Sequence, residues 1–115
     1  NGHGTNMSSI IAMQGVKGRS GSGIAYNAKI MPIKAADAKG EFNQDDVAKG
    51  INYAANMGAD IINMSFGGEK SAVIEVCAQR AYNAGCILVA AAGNNGVPTS
   101  DGARYFGGKY ETLLS

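Results

Sequence analysis

The chain has 115 residues, 45% of them hydrophobic, and ten basic against nine acidic residues give a formal net charge of +1. This length allows one small domain with a packed core. The near-zero charge gives no sign of nucleic acid or an anionic membrane as a partner. No apolar stretch reaches the length of a membrane-spanning helix, and no signal peptide is visible.

The first predicted element is a helix that begins with the only histidine of the chain. Apolar residues follow His3 at helical spacing, at Met7, Ile10, Ile11 and Met13. We expect this helix to be largely buried and the His3 ring, in its first turn, to project toward a site. An exposed histidine in a flexible N-terminal segment is the alternative that this residue alone leaves open.

Residues 15–23 form a glycine-rich loop that holds Lys17 and Arg19 but no carboxylate. Calcium takes several oxygen ligands, usually with anionic ones among them. We therefore predict no calcium site in this loop. The glycines are only a weak match to a phosphate-binding loop, because this loop precedes a predicted strand rather than joining a strand to a helix. The carboxylates elsewhere show no metal-ligand spacing with the histidine, so no metal site is predicted.

Residues 44–57 predict a helix with well-marked ends. Asn43 is a plausible N-cap, and Gly58 follows the last turn as a stop signal. The apolar residues of one face are Val47, Ile51, Ala54 and Ala55.

A third helix is predicted over residues 72–84, ended by Gly85. Its apolar face runs through Val73, Val76, Cys77 and Ala81. Small core residues explain both Cys77 and Cys86. A disulfide between them would have to bridge adjacent elements with specific geometry, and two cysteines are too few to assign a redox compartment.

Strands are predicted at residues 29–34, 60–64 and 87–92. The last is an uninterrupted apolar run, typical of a central strand buried on both faces. Pro32 is unusual in a central strand, because proline cannot donate to the hydrogen-bond ladder. Alternation of these strands with the helices predicts an α/β fold with parallel strands.

Two segments that follow predicted strands contain candidate site residues. Asn94 lies at the carboxyl end of strand 87–92, where open α/β sheets place their sites, and its amide can donate to an oxyanion without adding charge. Gly67 and Gly68 follow strand 60–64, and neither has a side chain that would block the close approach of another molecule. A turn asparagine and a simple strand-to-helix turn are the alternatives that these residues leave open.

Three blocks resemble conserved blocks of the subtilisin-like serine protease family, in the same order and with similar spacing. They read Asn-Gly-His-Gly-Thr at residues 1–5, Asp-Ile-Ile-Asn-Met-Ser-Phe-Gly-Gly at 60–68 and Ala-Ala-Ala-Gly-Asn-Asn-Gly at 90–96. The resemblance implies a three-layer α/β/α fold with a parallel sheet. Residues 1–115 would be an incomplete, central part of the catalytic domain. Residues 29–34 fall where the family has a strand that often tolerates a proline.

The resemblance also implies a serine endopeptidase that uses an Asp-His-Ser triad. It makes His3 the general base and Asn94 the oxyanion donor. It assigns the two substrate-binding walls to Ser65, Phe66, Gly67, Gly68, Ala91, Ala92 and Gly93. In the family the aspartate precedes the histidine block and the nucleophilic serine follows the oxyanion asparagine. We therefore expect the isolated chain to be inactive, and the rest of the catalytic domain or a partner chain to complete it.

Further expectations follow from the same resemblance: a protein or peptide substrate, an extracellular or secreted location, and no cofactor, with calcium left for other parts of a full-length protein. A truncated, non-catalytic module that binds peptides or another partner is the alternative function. Three places depart from the family pattern. Asn6 replaces a second histidine, Ser9 replaces a glycine, and residues 105–110 lack the proline of the family's turn.

Overall fold

The computed structural model describes residues 2–18, 21–68, 70–91 and 93–94. Within them it contains three helices, α1 (His3–Ala12), α2 (Gln44–Asn56) and α3 (Ala72–Asn83), and two strands, β1 (Ile61–Met64) and β2 (Ile87–Ala90). This is an α/β arrangement, as the sequence predicts. Ala92 and the turn at residues 105–110 lie outside the described residues.

Helix α2 begins and ends where its sequence signals predict. The Asn43 Oδ1 accepts a hydrogen bond from the Asp46 backbone N–H at 2.8 Å, and the Asn43 amide donates to the Asp46 carboxylate at 2.6 Å. This reciprocal pair satisfies a backbone donor that the first turn leaves free. Gly58 ends the helix with a φ of +78°, a conformation that glycine adopts without strain.

Helix α3 begins at the predicted residue and ends one residue before the predicted end, but its buried face differs from the prediction. Its N-cap is Ser71, a buried residue that sequence reasoning did not select, whose hydroxyl accepts from the Ile74 N–H at 3.4 Å. The buried residues are Ile74, Cys77, Ala78 and Ala81. The prediction that Val73 and Val76 face the core is wrong, because both are about half exposed. Each precedes a buried residue by one position, which is about 100° around the helix.

Strands β1 and β2 are parallel neighbours, with Ile61 opposite Ile87 and Met64 opposite Ala90. Side chains alternate between the two faces of the sheet. Leu88 is buried on one face, whereas Ile61 and Ile87 are 59% and 46% exposed on the other. The prediction that residues 87–92 are buried on both faces is therefore wrong, because helices cover only one face in the described part of the chain.

The core lies between this sheet face and the two helices α2 and α3. Its members are Val47, Ala48, Ile51, Ala54, Ile62, Met64, Ile74, Cys77, Ala78, Ala81, Cys86 and Leu88. Both thiols are buried and free, which confirms their interpretation as small core residues. The Cys86 thiol donates to the Ala59 carbonyl at 3.1 Å, and the Asn52 amide donates to the Cys77 sulfur at 3.2 Å.

Residues 29–34 do not form a strand, contrary to prediction. The segment passes close to α2, since a Cβ placed on Gly50 would lie 3.0 Å from the Ile33 side chain. Ile30 and Met31 are about 40% exposed. A strand needs a ladder with a neighbour, and neither β1 nor β2 pairs with this segment. Pro32 could not donate to such a ladder.

Helix α1 exists as predicted, but none of its residues is buried. The chain returns across its C-terminal end, where the N–H groups of Gly23, Ile24 and Ala25 donate to the carbonyls of residues 13, 10 and 11 at 2.7, 3.1 and 2.8 Å. Gly23 is buried, and a Cβ there would lie 2.5 Å from the Ala12 and Met13 nitrogens. Tight backbone contacts, rather than an apolar interface, hold the end of this helix.

Candidate active site

The predicted wall residues emerge side by side from the sheet. Because β1 and β2 run parallel, their carboxyl ends lie at the same edge. The last hydrogen bond of the ladder joins the Ala91 N–H to the Met64 carbonyl at 3.3 Å. Ser65 and Ala91 therefore begin two adjacent segments at this edge, and these segments are the two predicted substrate walls.

His3 lies against the first of these segments. Its Nε2 is 2.7 Å from the Ser65 carbonyl oxygen, a contact between residues 62 positions apart. A carbonyl accepts and cannot donate, so Nε2 carries the proton in this arrangement. The contact joins the first residue of α1 to the carboxyl end of β1, and it brings together two of the residues that the sequence selected.

The tautomer matters for the chemistry of the ring. With Nε2 protonated, a neutral imidazole has Nδ1 as its proton acceptor. A ring that is to take a proton through Nε2 must first leave the Ser65 carbonyl or change tautomer. His3 is exposed, so its ring has room to rotate.

An aromatic pair supports the wall beyond Ser65. The rings of Phe66 and Phe42 meet edge to face, with centroids 5.0 Å apart and planes at 66°, a favoured geometry for aromatic side chains. Both rings pack against the core. Sequence reasoning missed Phe42, although its place just before the N-cap Asn43 is where a hydrophobic residue often anchors the entry to a helix.

The glycines of this wall differ in their surroundings. Gly67 is exposed. A Cβ on Gly68 would lie 3.7 Å from the Phe42 ring, which is ordinary van der Waals contact. The aromatic pair therefore lies directly behind Gly68.

The second wall turns immediately after β2. Gly93 has a φ of +91°, a conformation that glycine adopts readily and other residues avoid. Ala91, Gly93 and Asn94 are all exposed. Asn94 thus follows the carboxyl end of β2 in the position that the sequence predicts, whereas Ala92 lies outside the described residues.

Asn63 is a site neighbour that sequence reasoning did not select. Its side-chain amide donates to the Ser65 hydroxyl at 2.9 Å. The available signal was its place on β1, two residues before Ser65 and therefore on the same face of an extended chain.

The described residues contain no group of three or more His, Cys, Asp or Glu side chains that could hold a metal ion. None of the described helices is long and apolar enough to cross a membrane. The chemistry that this edge of the sheet offers is an imidazole, backbone groups that an extended peptide could reach, and a neutral amide after the neighbouring strand.

A lowered pKa occurs in the loop before α2. The pKa of the Asp37 carboxyl is lowered chiefly by the hydrogen bond from the Glu41 N–H, with a further contribution from the Lys39 N–H. The two N–H groups lie 2.9 and 2.8 Å from the Asp37 Oδ1. This carboxylate closes the loop and is a structural feature.

Comparison with known proteins identifies the family. The model of the Subtilase family matches residues 1–114. The chain is similar to the thermophilic serine proteinase of Bacillus sp. strain AK1, with 38% identity over 87% of this chain. It is also similar to the cell wall-associated protease of Bacillus subtilis, with 42% identity over 83% of this chain. It is 32% identical to subtilisin DY of Bacillus licheniformis over 100% of its length.

These alignments cover only part of each relative: 25% of the thermophilic proteinase, 11% of the cell wall-associated protease and 42% of subtilisin DY. The match nevertheless extends over nearly all of this chain and includes the His3 block and both strand ends. The chain belongs to the Subtilase family.

Proposed function

We propose that residues 1–115 are the central part of the catalytic domain of a serine endopeptidase. The observation that carries this proposal is the 2.7 Å contact between the His3 ring and the carboxyl end of β1, in a chain that the Subtilase family matches over residues 1–114. The finer architecture that we propose is a three-layer α/β/α domain whose parallel sheet extends beyond β1 and β2.

His3 is the proposed general base. It would take the proton of a serine hydroxyl as that oxygen attacks the peptide carbonyl, and then give the proton to the leaving amine. The aspartate that orients the ring and the nucleophilic serine are proposed to come from polypeptide outside these residues. The His3 ring must turn from the Ser65 carbonyl if Nε2 is to face the nucleophile.

Asn94 is the proposed oxyanion donor. An amide N–H aimed at the oxygen that becomes negative stabilises the transition state without adding a charge to the site. The exposed position of Asn94 after β2 leaves its side chain accessible to a peptide. Gly93 supports this role, because its φ of +91° turns the chain at the strand end.

The two strand ends are proposed to bind the substrate as an extended peptide. Segments that leave adjacent strands offer backbone donors and acceptors on either side of a cleft, and main-chain hydrogen bonds recognise peptides regardless of sequence. The proposed wall residues are Ser65, Phe66, Gly67 and Gly68 on one side and Ala91, Ala92 and Gly93 on the other.

The remaining parts of the proposal concern the whole protein. Its substrate would be a protein or peptide, with no nucleic acid or membrane partner and no cofactor in this segment. One relative is named a cell wall-associated protease, which favours an extracellular location. The isolated chain would be inactive, because none of its serines lies in the Gly-Thr-Ser context of the family's nucleophile.

Labelling with a fluorophosphonate, which modifies only activated serines, tests the proposal. The longer polypeptide that includes this segment should be labelled stoichiometrically, and the isolated chain should not. The His3→Ala variant of the longer polypeptide should lose the label, whereas Asn83→Ala, an exposed change at the end of α3, should keep it. An unlabelled longer polypeptide would instead favour a non-catalytic peptide-binding module, and a labelled isolated chain would contradict its predicted inactivity.

A further inference from the structure

We propose that Asn63 is a positioning residue that orients His3 through Ser65. Two contacts carry the inference: the Asn63 amide donates to the Ser65 hydroxyl at 2.9 Å, and the Ser65 carbonyl accepts from the His3 ring at 2.7 Å. Ser65 thus connects a strand residue to the imidazole. The catalytic meaning of this link rests on the proposed function, whereas the link itself is measurable without any activity.

Ser65 is the first residue after the end of strand β1. Strand β1 ends at Met64, whose carbonyl accepts the last ladder hydrogen bond from the Ala91 N–H at 3.3 Å. One residue later the direction of the Ser65 carbonyl depends on its own backbone torsions. A hydrogen bond to the Ser65 side chain restricts the range of those torsions. It therefore also restricts the range of positions at which the His3 ring can be held.

Asn63 is well placed to supply that hydrogen bond. It is the third residue of the four-residue strand β1, and its backbone is paired in register with Val89 of β2. A side chain anchored on a paired strand transmits the geometry of the sheet more precisely than one on a loop. Ser65 is half-buried, so its hydroxyl is also partly shielded from competing water.

A similar amide contact elsewhere provides a matched control. The Gln79 side-chain amide donates to the Asn83 side-chain oxygen at 3.0 Å on the exposed surface of α3. Like the Asn63 contact, it joins two exposed or partly exposed side chains at short range. Asn83→Ala removes a neutral side-chain hydrogen bond comparable in strength to the one between Asn63 and Ser65, and it leaves the His3 contact unchanged.

The experiment uses two unique features of the sequence. Ser65–Phe66 is the only Ser-Phe pair, and His3 is the only histidine. Labelling serine at its carbonyl carbon and phenylalanine at its amide nitrogen gives one NMR correlation, which reports the Ser65 carbonyl. This resonance should shift as pH is lowered from about 8 to about 5, the range in which imidazoles ordinarily gain a second ring proton, and the shift should vanish in His3→Ala.

If Asn63 orients the contact, Asn63→Ala should reduce that pH-dependent displacement by about half or more, since the carbonyl then samples directions unsuited to a hydrogen bond. Asn83→Ala should leave it at the wild-type value. Ser65→Ala, labelled at the alanine carbonyl, removes the same link from its other end and should give the same reduction. Adding Asn63→Ala to Ser65→Ala should then cause no further loss, because the two residues act through one hydrogen bond.

An unchanged displacement in folded Asn63→Ala would overturn the proposal. If that variant does not fold, an unchanged displacement in Ser65→Ala would overturn it equally, since this change lies beyond the end of the strand. Strictly additive effects in the double variant would also contradict a role through Ser65.

Activity provides the second readout. In the longer, active polypeptide, Asn63→Ala should change kcat by about threefold or more with a smaller change in KM, because it alters the contact that the His3 ring must leave before Nε2 can accept a proton. Unchanged kcat in Asn63→Ala beside an inactive His3→Ala would overturn the positioning role while leaving the proposed function intact. A wild-type polypeptide that hydrolyses no peptide would refute the proposed function, and the carbonyl resonance would still test the link.

Discussion

The two halves of the described chain are stabilised in different ways. Residues 43–90 build a core from α2, α3 and one face of the sheet, with side-chain caps on both helices. Residues 2–34 have Gly23 as their only buried position among those described. Helix α1 is held there by backbone hydrogen bonds from the returning chain. The residue proposed as the base is thus located in the half without a core.

The residues that stabilise this segment and the residue proposed as the base therefore lie in different parts of it. The packed half supplies two strand ends at defined positions, and the N-terminal half brings an imidazole to one of them. Substitutions in the packed half, residues 43–90, should therefore alter the stability of the chain. Substitutions in the N-terminal half, residues 2–34, should alter the site with little effect on global unfolding.

His3→Ala should abolish activity in the longer polypeptide but leave the stability of the chain nearly unchanged. We expect kcat to fall by about a millionfold, a value taken from the measured loss for the triad histidine of subtilisin. Because His3 is exposed, this substitution should change the free energy of unfolding of the chain by only about 0.5 kcal/mol. Steady-state kinetics and urea unfolding measure the two effects, and a large loss of stability would break the proposed division.

Ile74→Ala should destabilise the chain by about 2–5 kcal/mol, because it leaves a cavity in the core. Ile74 is 1% exposed, whereas Ile10 of α1 is 58% exposed. The matched change Ile10→Ala should therefore cost about 0.5 kcal/mol or less. Urea unfolding of both variants measures the comparison, and equal losses would show that α1 contributes as much apolar stabilisation as α3.

Gly23→Ala should loosen α1 without unfolding the core. A Cβ there would lie 2.5 Å from backbone nitrogens of Ala12 and Met13, so the returning chain must move, at an expected cost of about 1–3 kcal/mol. Hydrogen exchange should accelerate at the amides of residues 23–25 and remain slow in α2 and α3. Gly4→Ala is the control, because nothing lies within 4 Å of its added Cβ, and faster exchange throughout α3 would contradict the prediction.

The smallest effect concerns the Asp37 loop and its pH dependence. Backbone hydrogen bonds lower the pKa of Asp37 below its ordinary value of 3.8. Its contribution to stability is therefore fully present above that value and is lost as pH falls through the lower pKa of the folded state. Asp37→Asn should flatten this part of the stability profile, as urea midpoints measured from neutral to acidic pH would show. A variant profile as steep as that of wild type between neutral and acidic pH would contradict this assignment.

Local signals predicted the helices accurately. Asn43, Gly58 and Gly85 act through hydrogen bonds or backbone conformations within a few residues of themselves, so their effect is visible in the sequence. The positions of Ser65 and Asn94 after parallel strands were also predictable, because the alternation of helices and strands implies a shared edge. The Subtilase membership was predictable from three short blocks of residues.

Errors arose wherever burial or pairing depended on a distant element. The prediction that α1 is buried was wrong, because amphipathic spacing describes a helix face but not the partner that covers it. Residues 29–34 are apolar enough for a strand, yet they are irregular, because Pro32 cannot donate to a ladder and neither of the two described strands pairs with them. The burial of the last predicted strand was overestimated, because a continuous apolar run does not reveal that, among the described residues, helices cover only one sheet face.

Sequence patterns were sufficient for the bounds of α2 and α3 to within one residue, the α/β class and the family, since each depends on short-range chemistry or on recognisable motifs. The three-dimensional structure was needed to establish which face of the sheet is covered, how the returning chain holds α1, and that His3 meets Ser65 beside Asn63. Those outcomes depend on contacts between residues far apart in the chain, and their geometry is set by packing and hydrogen bonding that local patterns do not specify.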